Sequence, residues 1–199
     1  MKLCVYCGTF NPIHNVHLEV ANFVKNKFQF DKILFIPAYK PPHKNLNGKL
    51  AIHRYNMVTL ALMDYPNFCI SDIEYKREDY SYTVNTIEEL YSYIHGIEGR
   101  ISFIIGTDAF KGLNTWHKID RLKEMVEFIV FPRENNFSEG EMDKYKDEGY
   151  HFVCVDKPFV DVSSTMVRER VKNGEDISNL VPQKVKEYIY KNRLYTNEK

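Results

Sequence analysis

The sequence predicts an α/β fold in which helices cover both faces of one mainly parallel sheet, the doubly wound arrangement. Short apolar runs rich in β-branched residues alternate with longer stretches of helical periodicity, which is the pattern of strands and helices in such sheets. No internal repeat or low-complexity segment interrupts the alternation. A chain of 199 residues suits one domain, since domains usually hold about 100–200 residues. We therefore predict a single domain.

The expected elements follow one another along the whole chain. We predict strands at Leu3–Cys7, Lys32–Pro37, Phe68–Asp72, Ile101–Gly106, Phe128–Phe131 and His151–Val155. We predict helices at Val16–Lys27, Leu50–Asp64, Thr83–Tyr93, Asp120–Met125, Ser164–Lys172 and Pro182–Lys191. Pro182 suits a first helical position, because the N–H that it lacks would have no partner there.

The loops at one edge of this sheet are the expected location of a ligand site. In open parallel sheets, ligands bind beyond the carboxyl ends of the strands. The loops after Cys7, Pro37 and Gly106 should therefore meet there. The charged segment Arg133–Tyr150 is expected to form a surface loop or a weak helix between two strands.

Composition and charge exclude several classes of protein. Lysine plus arginine and aspartate plus glutamate both number 27, so the chain has no overall positive field for nucleic acid or an anionic membrane. No apolar run approaches the roughly 20 residues that span a bilayer. Four scattered cysteines without a secretion signal indicate reduced thiols and a cytoplasmic location. The sequence leaves the oligomeric state open, a homo-oligomer included.

The segment between the first strand and the first helix has the features of a phosphate-binding loop. Residues 8–17 read GTFNPIHNVH. Backbone N–H groups and the dipole at a helix start favour an anion, and His14 and His17 are spaced so that both rings can reach one ligand. H-x-x-H alone is a weak pattern, because two such histidines are more often ordinary surface or core residues.

A zinc site is the main alternative for this segment, because C-x-x-C followed by H-x-x-H is similar to zinc-binding patterns. Two features argue against it. Cys4 and Cys7 lie three apart in a predicted strand, so their side chains should face opposite sides of the sheet. Only six residues separate Cys7 from His14, whereas the zinc-finger pattern has about twelve.

Two motifs near opposite ends of the chain are similar to one enzyme superfamily, the nucleotidyltransferases. The first loop resembles their signature G-T-F-[DN]-P-x-H-x-G-H. Residues 162–170 read VSSTMVRER and resemble their element [IV]-S-S-T-x-[IV]-R. Its hydroxyls can cap a helix and bind phosphate, and Arg168 offers a planar fork one turn later. The resemblance implies a Rossmann-like fold whose ATP site is completed by the C-terminal helical part, residues 163–195.

Three further segments are similar to one branch of that superfamily, the nicotinate-nucleotide adenylyltransferases. Residues 37–44 read PAYKPPHK and contain the P-P-H-K of that branch. Residues 81–90 read SYTVNTIEEL and resemble S-Y-T-x-x-T, and residues 104–120 read IIGTDAFKGLNTWHKID and resemble G-x-D-x-x-x-x-L-x-x-W. Each alone has an ordinary explanation as a solvated loop, a helix start or a packing tryptophan. Together the motifs run from about residue 2 to 195 in family order.

The resemblance implies a reaction and two groups of binding residues. The adenylyl group of ATP, bound with Mg²⁺, would be transferred to nicotinic acid mononucleotide. His14, His17 and Arg168 would be catalytic. ATP would be bound by Gly8, Thr9, Phe10, His14, His17, Gly106, Asp108, Arg133, Ser163, Ser164, Thr165 and Arg168. The mononucleotide would be bound by Thr9, Lys44, Tyr82, Thr83, Trp116 and His117, with the indole stacked on the pyridine. No metal ligands supplied by the protein are expected.

The chain departs from the family pattern at several positions. Val16 stands where a glycine is usual between the two histidines, and the sequence leaves open whether its methyl groups face the nucleotide. Cys7 occupies a position that is commonly glycine, Ala38 one that is often asparagine, and His117 one that is often tyrosine. A nicotinamide-mononucleotide enzyme of the same fold and a nucleotide-binding regulator without turnover are kept as alternatives.

Overall fold

A parallel sheet lies at the centre of the computed structural model, which describes residues 1–42, 48–77, 80–132, 140, 143–157 and 162–196, without the side chain of Lys49. Its strands in the described residues are β1 (Leu3–Gly8), β2 (Lys32–Pro37), β3 (Phe68–Ile70), β4 (Ile101–Gly106), β5 (Val126–Phe131) and β6 (Phe152–Cys154). They lie in the order β3-β2-β1-β4-β5-β6, with each neighbouring pair parallel. This is the strand order of the Rossmann fold, so the predicted fold class is confirmed.

Helices cover both faces of the sheet. They are α1 (Asn15–Phe28), α2 (Lys49–Leu62), α3 (Thr83–Tyr93), α4 (Thr107–Lys111), α5 (Ile119–Met125), α6 (Asp143–Asp147), α7 (Ser164–Asn173) and α8 (Gln183–Lys191). Two short 3₁₀ helices, Ile73–Lys76 and Leu113–Thr115, stand in the connections before α3 and α5. None of the helices in the described ranges is long and apolar enough to cross a membrane.

Two hydrophobic clusters, one on each face, hold these layers together. Cys4 and Tyr6 of β1 pack into a cluster with α1, α2, α7 and α8. Leu3 and Val5 pack into the other, with α3, α4 and α5. The division follows from the two-residue period of a strand, which sends successive side chains to opposite faces.

The observed elements agree with the predicted ones to within a few residues, apart from helix α4, which was not predicted, and three further differences. Strand β3 ends at Ile70 rather than Asp72. Pro182 caps α8 with an extended ψ of 148°, so Gln183 is the first helical residue and the predicted position of the proline was wrong by one residue. The charged segment contains α6, and its Tyr145 and Tyr150 are buried against the sheet, so these two residues belong to the core.

The sheet order places β1 and β4 side by side, although a long stretch of chain separates them. Strand β1 is followed through α1 to β2 on one side, while β4 leads to β5 on the other. The connections therefore diverge at the carboxyl ends of β1 and β4 and leave a crevice between them. Ligands of open parallel sheets bind at such a switch point.

Candidate active site

A cleft of about 640 Å³ opens at that switch point, between the loops after β1, β2 and β4 and the first turns of α3 and α7. The prediction that these loops meet is confirmed. The predicted site residues that line the cleft are Gly8, Thr9, Phe10, His14, His17, Tyr82, Thr83, Gly106, Asp108, Trp116, His117, Ser163, Ser164, Thr165 and Arg168. Lys44 and Arg133 lie outside the described residues.

The loop after β1 folds back over its own first residue. Phe10 adopts a left-handed backbone with φ 45°, and its buried ring lies directly over Gly8. A Cβ atom added to Gly8 would stand 2.9 Å from the Phe10 ring, closer than such atoms approach. Glycine at position 8 is therefore required by the ring that packs on it.

The carbonyl oxygens of this loop are held by donors from elsewhere in the chain. The bonds are Ala38 N to Gly8 O at 2.8 Å, Arg54 Nη1 to Thr9 O at 2.7 Å, Arg168 Nη1 to Asn11 O at 2.8 Å and Ser164 Oγ to Pro12 O at 2.8 Å. In contrast, the amides of Thr9 and Phe10 donate no backbone hydrogen bond to the described part of the chain. Thr9 and Phe10 border the cleft, and unpaired backbone N–H groups of this kind favour an anion.

His14 and His17 lie together at the start of α1. Their ring centroids are 3.6 Å apart, at an angle of 31° between the planes. The His14 backbone N–H donates to His17 Nδ1 at 3.2 Å. Because this Nδ1 accepts, a neutral His17 carries its proton on Nε2, which is then a donor. The ring of His17 is further confined by edge contacts with Tyr6 and Phe10, so its orientation is fixed by the protein.

The S-S-T-x-x-R element adds hydroxyls and a guanidinium to the same end of the cleft. Ser163 is the N-cap of α7, and its Oγ accepts from the backbone N–H of Met166 at 3.1 Å. Arg168 donates through Nη2 to Thr165 Oγ1 at 3.0 Å as well as to the loop after β1. The guanidinium is therefore oriented before any ligand binds, with its plane fixed by two different elements.

Aromatic side chains from the other face of the sheet also line the cleft. Tyr82 and Trp116 pack with the cluster that contains α3, whereas α7 packs with the cluster that contains α1. The Tyr82 and His117 rings lie 4.3 Å apart between centroids, and Trp116 meets the buried Phe103 edge-on at 6.2 Å. Trp116 is half-buried, so it both packs on the core and borders the cleft. Thr83 is the first residue of α3, where backbone N–H groups are not used by the helix itself.

Arg54 is a residue of this site that sequence reasoning missed. It lies on α2 and is 1% exposed. Besides Thr9 O, it donates to Ala38 O at 2.5 Å and Tyr39 O at 3.0 Å, so one guanidinium joins the loops after β1 and β2. Burial lowers its pKa, and nearby tyrosines and Glu74 oppose that shift. A single arginine among the core positions of α2 was the only signal in the sequence.

Glu74 is a second missed residue, in the 3₁₀ helix before α3. It is 4% exposed and borders the cleft. Its Oε1 accepts from Thr86 Oγ1 at 2.8 Å, and its Oε2 accepts from Tyr39 N at 3.3 Å. Burial raises the pKa of its carboxyl group, against the opposing effects of hydrogen bonds from Ser81 and Thr86. No local pattern predicts this carboxylate.

The structure also decides two questions that the sequence left open. Val16 is 8% exposed, packs into the cluster under α1 and is absent from the described lining of the cleft, so its methyl groups face away from the nucleotide loop. Cys4 and Cys7 pack against opposite faces of the sheet, which confirms the argument against a shared metal. In the described ranges no group of three or more histidine, cysteine, aspartate or glutamate side chains is placed to hold a metal ion.

A Rossmann-order sheet with a glycine-containing loop, two histidines and an oriented arginine at its switch point is typical of a nucleotide-binding protein of the nucleotidyltransferase class. Residues 5–170 match the model of the cytidylyltransferase-like family. The chain belongs to this family, and within it to the nicotinate-nucleotide adenylyltransferases, as its relatives show.

These relatives match the chain over almost its whole length. Proteins described as probable nicotinate-nucleotide adenylyltransferases are 36% identical in Caldicellulosiruptor saccharolyticus, covering 98% of this chain and 99% of theirs, and 38% identical in Clostridium tetani, covering 98% of both. A solved structure of Plasmodium falciparum nicotinic acid mononucleotide adenylyltransferase complexed with NaAD has a TM-score of 0.75 at 20% identity, covering 98% of this chain and 97% of its own. That likeness supports the fold.

Proposed function

We propose that this chain transfers the adenylyl group of ATP to nicotinic acid mononucleotide, giving nicotinic acid adenine dinucleotide and pyrophosphate, a step of NAD biosynthesis. Its relatives are named for this activity, as probable nicotinate-nucleotide adenylyltransferases. The observation that carries the proposal is the arrangement of one cleft. The histidine loop and Arg168 border it from the side of the sheet covered by α1 and α7, and Thr83 and Trp116 border it from the side covered by α3. We call these sides the ATP end and the acceptor end. Two substrates can thus meet head to head.

The reaction requires positioning more than covalent chemistry. An oxygen of the acceptor's 5′-phosphate attacks the α-phosphorus of ATP in line. The new P–O bond forms as the bond from the α-phosphorus to the bridging oxygen breaks, and pyrophosphate leaves with that electron pair. No covalent enzyme intermediate is needed. Charge on the phosphate oxygens must be stabilised while these bonds change.

The ATP end supplies that stabilisation. His14, His17 and Arg168 are the proposed catalytic residues, because fixed donors aimed at phosphate oxygens act most strongly where charge develops. The remaining proposed ATP contacts are Gly8, Thr9, Phe10, Gly106, Asp108, Arg133, Ser163, Ser164 and Thr165. The C-terminal part, residues 163–195, completes this site. Support comes from the bonds of Ser164 and Arg168 to the loop after β1.

The acceptor end binds the mononucleotide. The main-chain N–H groups near Thr83 and His117 suit the nicotinate carboxylate, since a helix start favours a negative charge. Trp116 stacks on the pyridine ring, while Thr9, Lys44 and Tyr82 contact the rest of the mononucleotide. The family's asparagine is replaced by Ala38, whose backbone is engaged by Gly8 and Arg54.

A divalent ion, Mg²⁺, accompanies ATP. The donors of the cleft fit this arrangement, because its His and Arg side chains can bind phosphate oxygens, whereas Mg²⁺ takes oxygen ligands. Among the described lining residues, Asp108 is exposed, while Glu74 is buried and engaged by Tyr39 and Thr86. When bound on the triphosphate, the ion neutralises charge on the leaving pyrophosphate. The protein then orients the phosphates that carry it.

Pyrophosphate release tests this function. We expect release with ATP and nicotinic acid mononucleotide, and a kcat/KM lower by about 10⁴ for the nicotinamide form, because main-chain donors that match a carboxylate would clash with an amide NH₂. Comparable values for the two mononucleotides would favour the nicotinamide-mononucleotide alternative. Binding of ATP without any release would favour the regulator. We place the reaction in the cytoplasm, which agrees with the four free cysteines.

A further inference from the structure

The end of the chain returns to the nucleotide loop. After α8, the Leu194 N–H bonds to Ile189 O at 3.0 Å, and the side chain of Leu194 is buried in the cluster under α1. Tyr195 follows with a left-handed backbone, φ 62°. A non-glycine residue adopts this conformation only when its surroundings hold it there. Tyr195 is therefore fixed in place.

The phenol of Tyr195 contacts the loop directly. Its hydroxyl donates to Asn11 Oδ1 at 2.7 Å, across 184 residues of sequence. Asn11 is 8% exposed and borders the cleft. Because Oδ1 is engaged by the phenol, the donor group that Asn11 can offer to a ligand is its Nδ2 amide.

The surroundings of Tyr195 leave its hydroxyl protonated, so that it can donate a hydrogen bond. Burial raises the pKa of Tyr195, while the positive charges of Arg168 and Arg54 oppose that shift. The hydroxyl thus stays protonated at neutral pH and can satisfy Asn11 Oδ1. Two arginines and one phenol meet behind a single loop, and both arginines bond to carbonyl oxygens of that loop.

We propose that Tyr195 is a positioning residue for ATP, which holds the Asn11 side chain and keeps residues 9–12 in the conformation that receives the phosphates. The proposal rests on the proposed function, since it assigns the ligand of this loop as ATP. Tyr195 itself touches neither substrate. It acts through its hydrogen bond to Asn11, together with the bonds that Arg54, Ser164 and Arg168 make to the same loop.

Tyr195→Phe tests this role, because it removes one oxygen and keeps the ring. Loss of one hydrogen bond of about 1 kcal/mol predicts that the Kd of ATP, measured by calorimetry without acceptor, rises about fivefold. In turnover the KM of ATP should rise similarly, and the KM of the mononucleotide should stay within about twofold. An unchanged Kd of ATP, or equal rises in both KM values, would overturn the proposal.

Tyr188→Phe is the matched control. Tyr188 lies on α8, and its hydroxyl is bonded by Asn56 Nδ2 at 2.9 Å and lies 2.9 Å from His53 Nδ1, away from the cleft. This variant should leave the Kd of ATP unchanged, even if its melting temperature falls as much as that of Tyr195→Phe. If both variants weaken ATP binding equally, Tyr195 only stabilises the fold and the proposal is wrong.

A double-mutant cycle locates the effect. In the Asn11→Ala background, Tyr195→Phe should change the Kd of ATP by less than about twofold, because the partner of the phenol is already gone. A further fivefold loss in that background would show that the phenol acts elsewhere and would refute the proposal. Failure of the proposed function is seen separately, as absence of pyrophosphate release by the parent protein.

Discussion

The two ends of the cleft are built in different ways. At the proposed ATP end, Arg54, Ser164, Arg168 and Tyr195 reach one short loop from α2, α7 and the segment after α8. At the acceptor end, loops hold one another near the surface: Lys40 N donates to Ser81 Oγ and Ser81 N to Lys40 O, both at 3.0 Å.

The contrast indicates that the two ends contribute to different steps, one to transition-state stabilisation and the other to binding of the acceptor. A loop whose carbonyl oxygens are bonded to donors on separate helices is rigid before ATP arrives, which suits electrostatic stabilisation of a transition state. The acceptor end depends on the buried Glu74, on contacts between neighbouring loops and on exposed or half-buried rings such as His117 and Trp116. We expect changes at the first end to affect folding, kcat or the KM of ATP, and changes at the second end to affect the KM of the acceptor.

Arg54→Met should have the largest effect on the free energy of unfolding. It leaves the carbonyl oxygens of Thr9, Ala38 and Tyr39 without their charged donor, so we expect a loss of about 3 kcal/mol or more in urea unfolding. Arg100→Met is the control, because Arg100 is exposed and its side chain donates to a single carbonyl oxygen, that of Glu124, within the described ranges. It should change stability by less than about 0.5 kcal/mol. Equal effects would show that the two loops do not depend on Arg54.

His17→Ala should lower kcat at least about a hundredfold while the protein remains folded, because a donor used in the transition state is lost. His14→Ala should act to a similar degree. His95→Ala, at an exposed position outside the cleft, should leave kcat unchanged. Folded His17 and His14 variants that turn over within about threefold of the parent would contradict the transition-state role.

Trp116→Ala should raise the KM of the mononucleotide about tenfold, since stacking on an aromatic ring contributes roughly 1–3 kcal/mol. The KM of ATP should change much less. Trp116 is the only tryptophan, so quenching of its fluorescence by the mononucleotide reports one position. If the variant binds the mononucleotide normally but melts at a much lower temperature, the contact with Phe103 is the main role of this ring.

Glu74→Gln should have the smallest effect, and it should depend on pH. Burial raises the folded-state pKa of Glu74 above the 4.5 of an exposed glutamate, so the contribution of this carboxyl to stability is present below pH 4.5 and is lost as pH rises through the raised pKa. Glutamine does not titrate. The stability of the parent relative to the variant, from urea midpoints, should therefore fall as pH increases. A stability difference between parent and variant that does not change with pH would show that burial does not raise the pKa of Glu74.

The sequence predicted the elements of the fold well, because their signals are local. The bounds of β2, β4 and α3 are those predicted, since strand and helix periodicity lies within a few neighbouring residues. The motifs likewise identified the loops that meet at the switch point. Tyr145 and Tyr150 were not predicted to be buried, because they stand among charged residues that show no apolar periodicity.

The sequence by itself determined the order of the strands and of the longer helices, the family and most of the residues that line the cleft. Only the tertiary structure decided how those residues are held. Arg54, Glu74 and Tyr195 act through partners 45, 35 and 184 residues away, and Val16 is directed into the core by the packing of α1. Periodicity reports on neighbours in the chain, whereas a hydrogen bond between distant segments depends on where the whole fold brings them.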